Sequence, residues 1–211
     1  MKENGLVLEL ANELFSIACE ENRSRESEMA NGIEGEKEHG RMVLLWVGKL
    51  VKNPSVELQL SALFHDIDRV VTPGVGEGFA GDRKSKAYKS YKKTHAKRSA
   101  DYICPKLIEK GIGHKVVERT RFLILHHDDT GAEISRLCDE ELDVLVAADS
   151  LAFFSSVGPR LYELEGKDRL RDKIRFMVEK MPKFARTLLS SERFENEVFN
   201  RLKDEVLGEQ K

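Results

Sequence analysis

The sequence predicts an all-α protein. Hydrophobic residues recur at spacings of three and four along most of the chain, no stretch alternates with a period of two, and only 15 Gly and 5 Pro interrupt its 211 residues. Leu6, Leu10, Leu14 and Ile17 mark a first helix. From Glu20 to Glu38 the chain is polar and charged and reads as a connecting loop. Met42, Val43, Trp46, Val47 and Leu50 form the stripe of a second helix, and a third is expected from about Ser55 to Asp66. The Gly-rich run TPGVGEGFAG, Thr72 to Gly81, leads straight into a basic segment. The two together read as a long insertion of the kind that is usually functional. Further helices are expected from Thr94 to Cys104, with Pro105 ending one and opening a short one, and from His114 to His127 after the turn marked by Gly111 and Gly113. Leu142, Leu145, Val146 and Phe153 give another. Helices over Pro159–Met181 and through Phe194, Val198, Leu202 and Val206 complete the chain, which has no internal repeat.

A chain of this length can bury roughly 70% of its unfolded surface, so it needs neither disulfide nor structural metal to fold. No apolar run approaches the ~20 residues of a membrane span, and Glu3 and Glu9 interrupt the place of a signal-peptide core, so a cytoplasmic protein with no membrane partner is expected. Cys19, Cys104 and Cys138 are odd in number and form no CxxC pair, which argues against a disulfide framework or a thiolate zinc site and reads as buried free thiols. The net charge is −2, yet Arg83 to Arg98 holds eight cations and no acid, leaving −10 on the rest. That asymmetry favours a local, small anionic partner over a long nucleic acid.

The chemistry-bearing residues are polar groups on apolar helix faces. His39 shares a stripe with Met42, Val43 and Trp46. Asp149 lies among Leu145, Val146, Ala152 and Phe153 with no Lys or Arg nearby in the sequence, and a buried unpaired carboxylate costs several kcal/mol. A cation from elsewhere in the fold, or a metal, must face it. His65-Asp66 follows the apolar LSALF and His126-His127 follows RFLIL, so that five of the six histidines are expected at helix starts or ends. Imidazole and carboxylate are the usual ligands for Fe, Mn, Co, Ni or Zn.

The order His39, His65-Asp66 within ALFHDID, His95, His126-His127, then Asp149 resembles the H…HD…H…HH…D pattern of the HD-domain superfamily of metal-dependent phosphohydrolases. The resemblance covers about residues 36–155 of a single domain spanning 1–211, with the C-terminal helices 159–208 packing on it. It implies an HD-type helical bundle with a Gly-rich and basic lid. It also implies two divalent ions: His39, His65, Asp66 and Asp149 around the first, and Asp66, His95 and one or both of His126 and His127 around the second, with a bridging hydroxide as nucleophile. The expected activity is hydrolysis of a phosphate ester of a nucleotide or other small anionic metabolite. Asp66, Asp68 and Arg69 are the catalytic candidates, and Lys86, Lys89, Lys93 and Arg69 the substrate-binding ones. Asp128 and Asp129 are further candidates for proton transfer or phosphate binding. The chain lacks the DGxGYP run of the cyclic-di-GMP branch after His127, and Asp68-Arg69 stands where many relatives carry Gly-Lys. Two other readings are a diiron oxygenase of the inositol-oxygenase or phosphonate-cleaving type, and a non-catalytic nucleotide-binding module.

Overall fold

Helix α8 (Glu140–Ser155) is the axis of the molecule. Its residues from Leu142 to Phe154 are apolar on nearly every side and almost all buried, which requires other helices on all sides of it. The computed structural model describes residues 2–24, 32–72 and 85–209, and among these there are helices and no strands. In chain order they are α1 (Lys2–Glu21), α2 (Gly32–Leu50), α3 (Val56–Phe64), α4 (Asp68–Val71), α5 (Lys86–Glu109), α6 (His114–His126), α7 (Gly131–Leu137), α8, α9 (Val157–Lys180), α10 (Lys183–Ser191) and α11 (Glu197–Gly208). None of the described helices is long and apolar enough to cross a membrane.

Two apolar cores meet inside this bundle. One gathers α8 with α9, α10 and α11, and the other gathers α1, α4 and α5. Helices α2, α3 and α6 feed both: Val43 and Val47, Leu58 and Ala62, and Leu123 into the first, with Ile33, Leu60, Phe64 and Ile124 into the second. The seam between the cores is where α3, α6 and the middles of α2, α5 and α8 bring their polar residues together.

Helix starts follow local chemistry. Ser55, Ser85 and Asp139 accept hydrogen bonds from Leu58, Tyr88 and Leu142 N–H, and Thr130 forms a reciprocal capping box with Glu133. Asp139 is itself clamped by Arg119 of α6, at 2.6 and 2.7 Å.

Several expectations are corrected. Helix α2 begins at Gly32, so residues 32–38 are helix rather than loop, and His39 and His95 lie within helices instead of at their ends. Pro105 sits inside α5. Its missing N–H would have served the carbonyl of exposed Asp101, which water can satisfy, while buried Ile103 and Leu107 hold the helix to the core. Helix α9 is broken at Gly166 (φ 81°, ψ −175°). Helices α4 and α7, too short for a periodic signal to stand out, were not expected, and neither was α10. Cys19 and Cys104 are buried free thiols, but Cys138 is exposed. Of the lid expected from Thr72 to Lys93, residues 73–84, with Gly74, Gly76, Gly78 and Gly81, lie outside the described residues, while Lys86 to Lys93 are the first turns of α5 rather than part of a loop insertion.

Candidate metal centre

The seam holds a row of imidazoles. His39 projects from mid-α2, His65 and Asp66 occupy the turn after α3, His95 comes from mid-α5, His127 follows α6, and Asp149 comes from α8. Ring centroids lie 5.3 Å apart for His39 and His65, 5.0 Å for His65 and His127, and 6.2 Å for His127 and His95. Gly40 permits the close approach of α2 to α3 beside this row, since a Cβ there would stand 3.1 Å from the Leu63 carbonyl oxygen.

Each of the four rings has Nδ1 engaged by a partner that fixes its orientation. His65 and His127 donate from Nδ1 to the carbonyls three residues back, Ala62 at 3.0 Å and Ile124 at 2.7 Å. The Ser156 hydroxyl donates to the Ala152 carbonyl (2.8 Å), so it accepts from His39 Nδ1 at 3.1 Å. His95 Nδ1 donates to Asp68 at 2.9 Å. This leaves every Nε2 facing the carboxylates. His39 Nε2 is 3.2 Å from Asp149, His95 Nε2 is 2.7 Å from Asp66, and His127 Nε2 is 3.4 Å from Asp66. His65 Nε2 is buried with no hydrogen-bond partner, 3.7 Å from Asp149 and 3.8 Å from Asp66. Against its burial, Asp66 and Asp149 push the His65 pKa up, so the space between them favours positive charge, which a proton on Nε2 or a divalent cation bound there would supply.

The two oxygens of Asp66 face opposite halves of the row: Oδ1 toward His95 and His127, Oδ2 toward His65 and Arg69, the last at 2.8 Å. Three triads have ligand atoms within 4.8 Å of one another: His39, His65 and Asp149; His65, Asp66 and His127; and His95, His127 and Asp128.

Electrostatics in the seam favour charged acids despite burial. Desolvation works against Asp66, but Arg69, His65 and His95 hold its carboxyl well below the usual range. Asp149 is likewise held low, against its burial, by Lys180 and by His39 and His65. Burial of His95 is outweighed by Asp66 and Asp68, which push it up to about 9. The cation that Asp149 demanded is Lys180, whose Nζ lies 2.5 Å from Asp149 and 3.3 Å from Asp128. Lys92 Nζ is 2.5 Å from the same Asp128 oxygen. Gly131 lets the start of α7 press on the end of α9 next to Lys180, since a Cβ there would be 2.8 Å from the Glu179 carbonyl oxygen.

The sequence-derived residues divide as follows. His39, His65, Asp66, His95, His127 and Asp149 converge. His126 does not: one step of about 100° around the helix end turns its ring outward, where it meets Asp129 at 2.6 Å and is one-third exposed. Asp68 is also corrected from a catalytic to a positioning residue. It is fully buried behind His95, gripped by Arg98 at 2.9 Å through two nitrogens and by Thr72, and has no surface to offer a substrate. Arg69 stays beside Asp66. Lys86, Lys89 and Lys93 border a cavity of about 580 Å³ together with Lys92, Asp128 and Phe176. Sequence reading missed Lys180, Lys92, Lys173, Ser156 and the place of Asp128 among the triads. A signal existed for two of these, since Lys173 and Lys180 stand with Phe176 at i, i+7 and i+3 on one face of α9.

No protein-family model matches the chain, and searches of curated proteins and of solved structures find no match either.

Proposed function

We propose that this protein is a metal-dependent phosphohydrolase of the HD-domain type, acting on a phosphate ester of a nucleotide or other small anionic metabolite. The observation that carries the reading is His65 Nε2, a buried nitrogen without a hydrogen bond in a row of four oriented imidazoles, placed between Asp149 and Asp66, which favour positive charge there. His39, His65, Asp66 and Asp149 would hold one ion, and Asp66, His95 and His127, with Asp128 alongside, a second. Such ions supply Lewis-acid chemistry, lowering the pKa of water and drawing charge from phosphoryl oxygens.

The chain's own residues do the rest. Ser156, Asp68 and the Ala62 and Ile124 carbonyls keep the Nε2 atoms pointed inward, so the ligand set is assembled before any ion arrives. Arg69, about one-third exposed at the side of Asp66, presents a guanidinium to a phosphoryl oxygen. Lys92 and the exposed lysines of α5 line the approach and neutralise the remaining charge of the substrate.

The test is anaerobic purification with elemental analysis, followed by a phosphate-release screen over phosphorylated metabolites with Fe, Mn, Co, Ni and Zn. Metal bound near two per chain and release of phosphate by at least one substrate is the expected result. Protein that takes up no divalent ion refutes the reading, and substrate-dependent oxygen uptake with a mixed-valent iron signal replaces it with the oxygenase.

A further inference from the structure

Three ammonium groups meet at one aromatic ring beside the imidazole row. The Nζ atoms of Lys92, Lys173 and Lys180 lie 4.1, 5.1 and 5.8 Å from the centroid of Phe176. They come from two helices, α5 and α9, so the convergence is a product of the fold. Among the described residues the carboxylates paired with them are Asp128 and Asp149, both shared, and Asp66 adds its charge at longer range to Lys180. Asp128 takes Lys92 and Lys180 on one oxygen and has His127 at 3.8 Å, while Asp149 takes Lys180 and also His39 and His65. Lys173 has no ion-pair partner among the described residues, and burial together with the charges of Lys92 and Lys180 depresses it to about 7.

Asp128 and Asp149 offset the charges of Lys92 and Lys180, which leaves Lys173 without a carboxylate of its own, and an anion entering beside it would let it keep its proton. Lys92, Phe176 and Asp128 line the 580 Å³ cavity with Lys86, Lys89 and Lys93 of one face of α5, and Lys173 and Lys180 adjoin it through their contacts with Phe176. That volume lies in the range of metabolite pockets, about 300–1,000 Å³. Arg69, on the other side of Asp66, is a separate cation for a separate phosphoryl group.

We propose that Lys92, Lys173 and Lys180, gathered around Phe176, form a phosphate subsite adjoining the metal-ligand row, so that the substrate carries two phosphate groups, one placed at Asp66 and Arg69 and the other held by the three lysines. As a statement of substrate class this rests on the phosphohydrolase reading; as a binding site it rests on the lysines alone.

The experiment is calorimetric titration of inorganic pyrophosphate into the full chain in EDTA, at low and high salt, for the wild type, Lys173→Met, Lys92→Met and the exposed control Lys115→Met. Wild type and Lys115→Met should bind alike. Lys173→Met and Lys92→Met should each bind at least tenfold more weakly and with a shallower salt dependence. With active metal-loaded protein, Lys173→Met should raise KM for a bisphosphorylated substrate while leaving KM for its monophosphate analogue and both kcat values unchanged. A wild type that binds no pyrophosphate in EDTA, or a Lys173→Met protein that binds it normally, overturns the subsite. Metal content, measured separately, decides the phosphohydrolase reading: pyrophosphate bound at the lysines of a chain that takes up no metal leaves the subsite standing and removes the hydrolase. Should the Met variants fail to fold, acetic anhydride labelling of the wild type gives the same decision. Pyrophosphate should shield Lys92 and Lys173 but not Lys115, and absence of shielding refutes the proposal.

Discussion

Removing the ammonium of Lys180 isolates the electrostatic problem at the centre of this fold. Lys180 and Asp149 are 3% and 5% exposed, and their Nζ to Oδ2 distance is 2.5 Å. Breaking a buried pair from one side leaves a carboxylate without its counter-charge, which costs about 3–5 kcal/mol. In Lys180→Met the stem is nearly preserved, Asp128 keeps Lys92, and Asp149 keeps His39 and His65, one of which can take up a proton. The loss should therefore sit near the lower limit, about 3 kcal/mol, equivalent to a fall of roughly 6–12 °C in Tm for a domain of this size. Thermal melts in EDTA at neutral pH measure it. A divalent ion held by His39, His65 and Asp149 supplies the missing charge, so Mn or Zn should bind Lys180→Met more tightly than wild type, and at one free-metal concentration above both Kd values the gap should narrow by RT times the logarithm of the Kd ratio, about 2.7 kcal/mol for a 100-fold ratio. A Lys180→Met protein melting within about 2 °C of wild type in EDTA would show that Asp149 does not depend on Lys180. A gap that metal leaves untouched would show that a bound ion does not take over the charge that Lys180 supplies to Asp149.

Three other perturbations follow from the same geometry. His127→Ala should lose bound metal while His126→Ala retains it, because only His127 turns its Nε2 toward Asp66; elemental analysis of the two proteins decides. Ser156→Ala removes the acceptor for buried His39 Nδ1–H and should weaken metal affinity by roughly 10–100-fold and stability by about 1–3 kcal/mol, read by metal titration and denaturant melts. In metal-free protein His95, raised from 6.5 to about 9, contributes stability that is fully present below pH 6.5 and lost as pH rises through 9. The stability gap between wild type and His95→Gln should therefore narrow by up to about 3 kcal/mol across that window. Taking the difference matters, since Lys173 and Lys92, depressed to about 7 and about 8 from 10.5, make the stability of both proteins rise over the same range.

The sequence by itself determined the helical class and most of the helices, because a 3.6-residue period of apolar side chains is written locally and survives in isolation. It also determined which polar residues had to be explained: His39, Asp149 and the His65-Asp66 pair stand out as groups that apolar helices would not carry without a partner, whereas His95, set in the basic KKTHAKRS, was marked only by the resemblance. Tertiary structure decided the partners. Lys180 reaches Asp149 from 31 residues away, Asp68 grips His95 across 27, and Ser156 holds His39 across 117, separations that no local pattern encodes. The choice between His126 and His127 was equally beyond the sequence, because it depends on the rotation at which α6 ends against the seam. Of the helices not expected, α4 and α7 are too short to show a period and rest on packing, with a capping box at α7, whereas α10 carries a readable apolar face, Ala185 and Leu189 at i and i+4, that the sequence reading passed over. Side-chain period is a property of one segment, whereas a charge balance belongs to a volume, and only the folded chain fixes which charges share it.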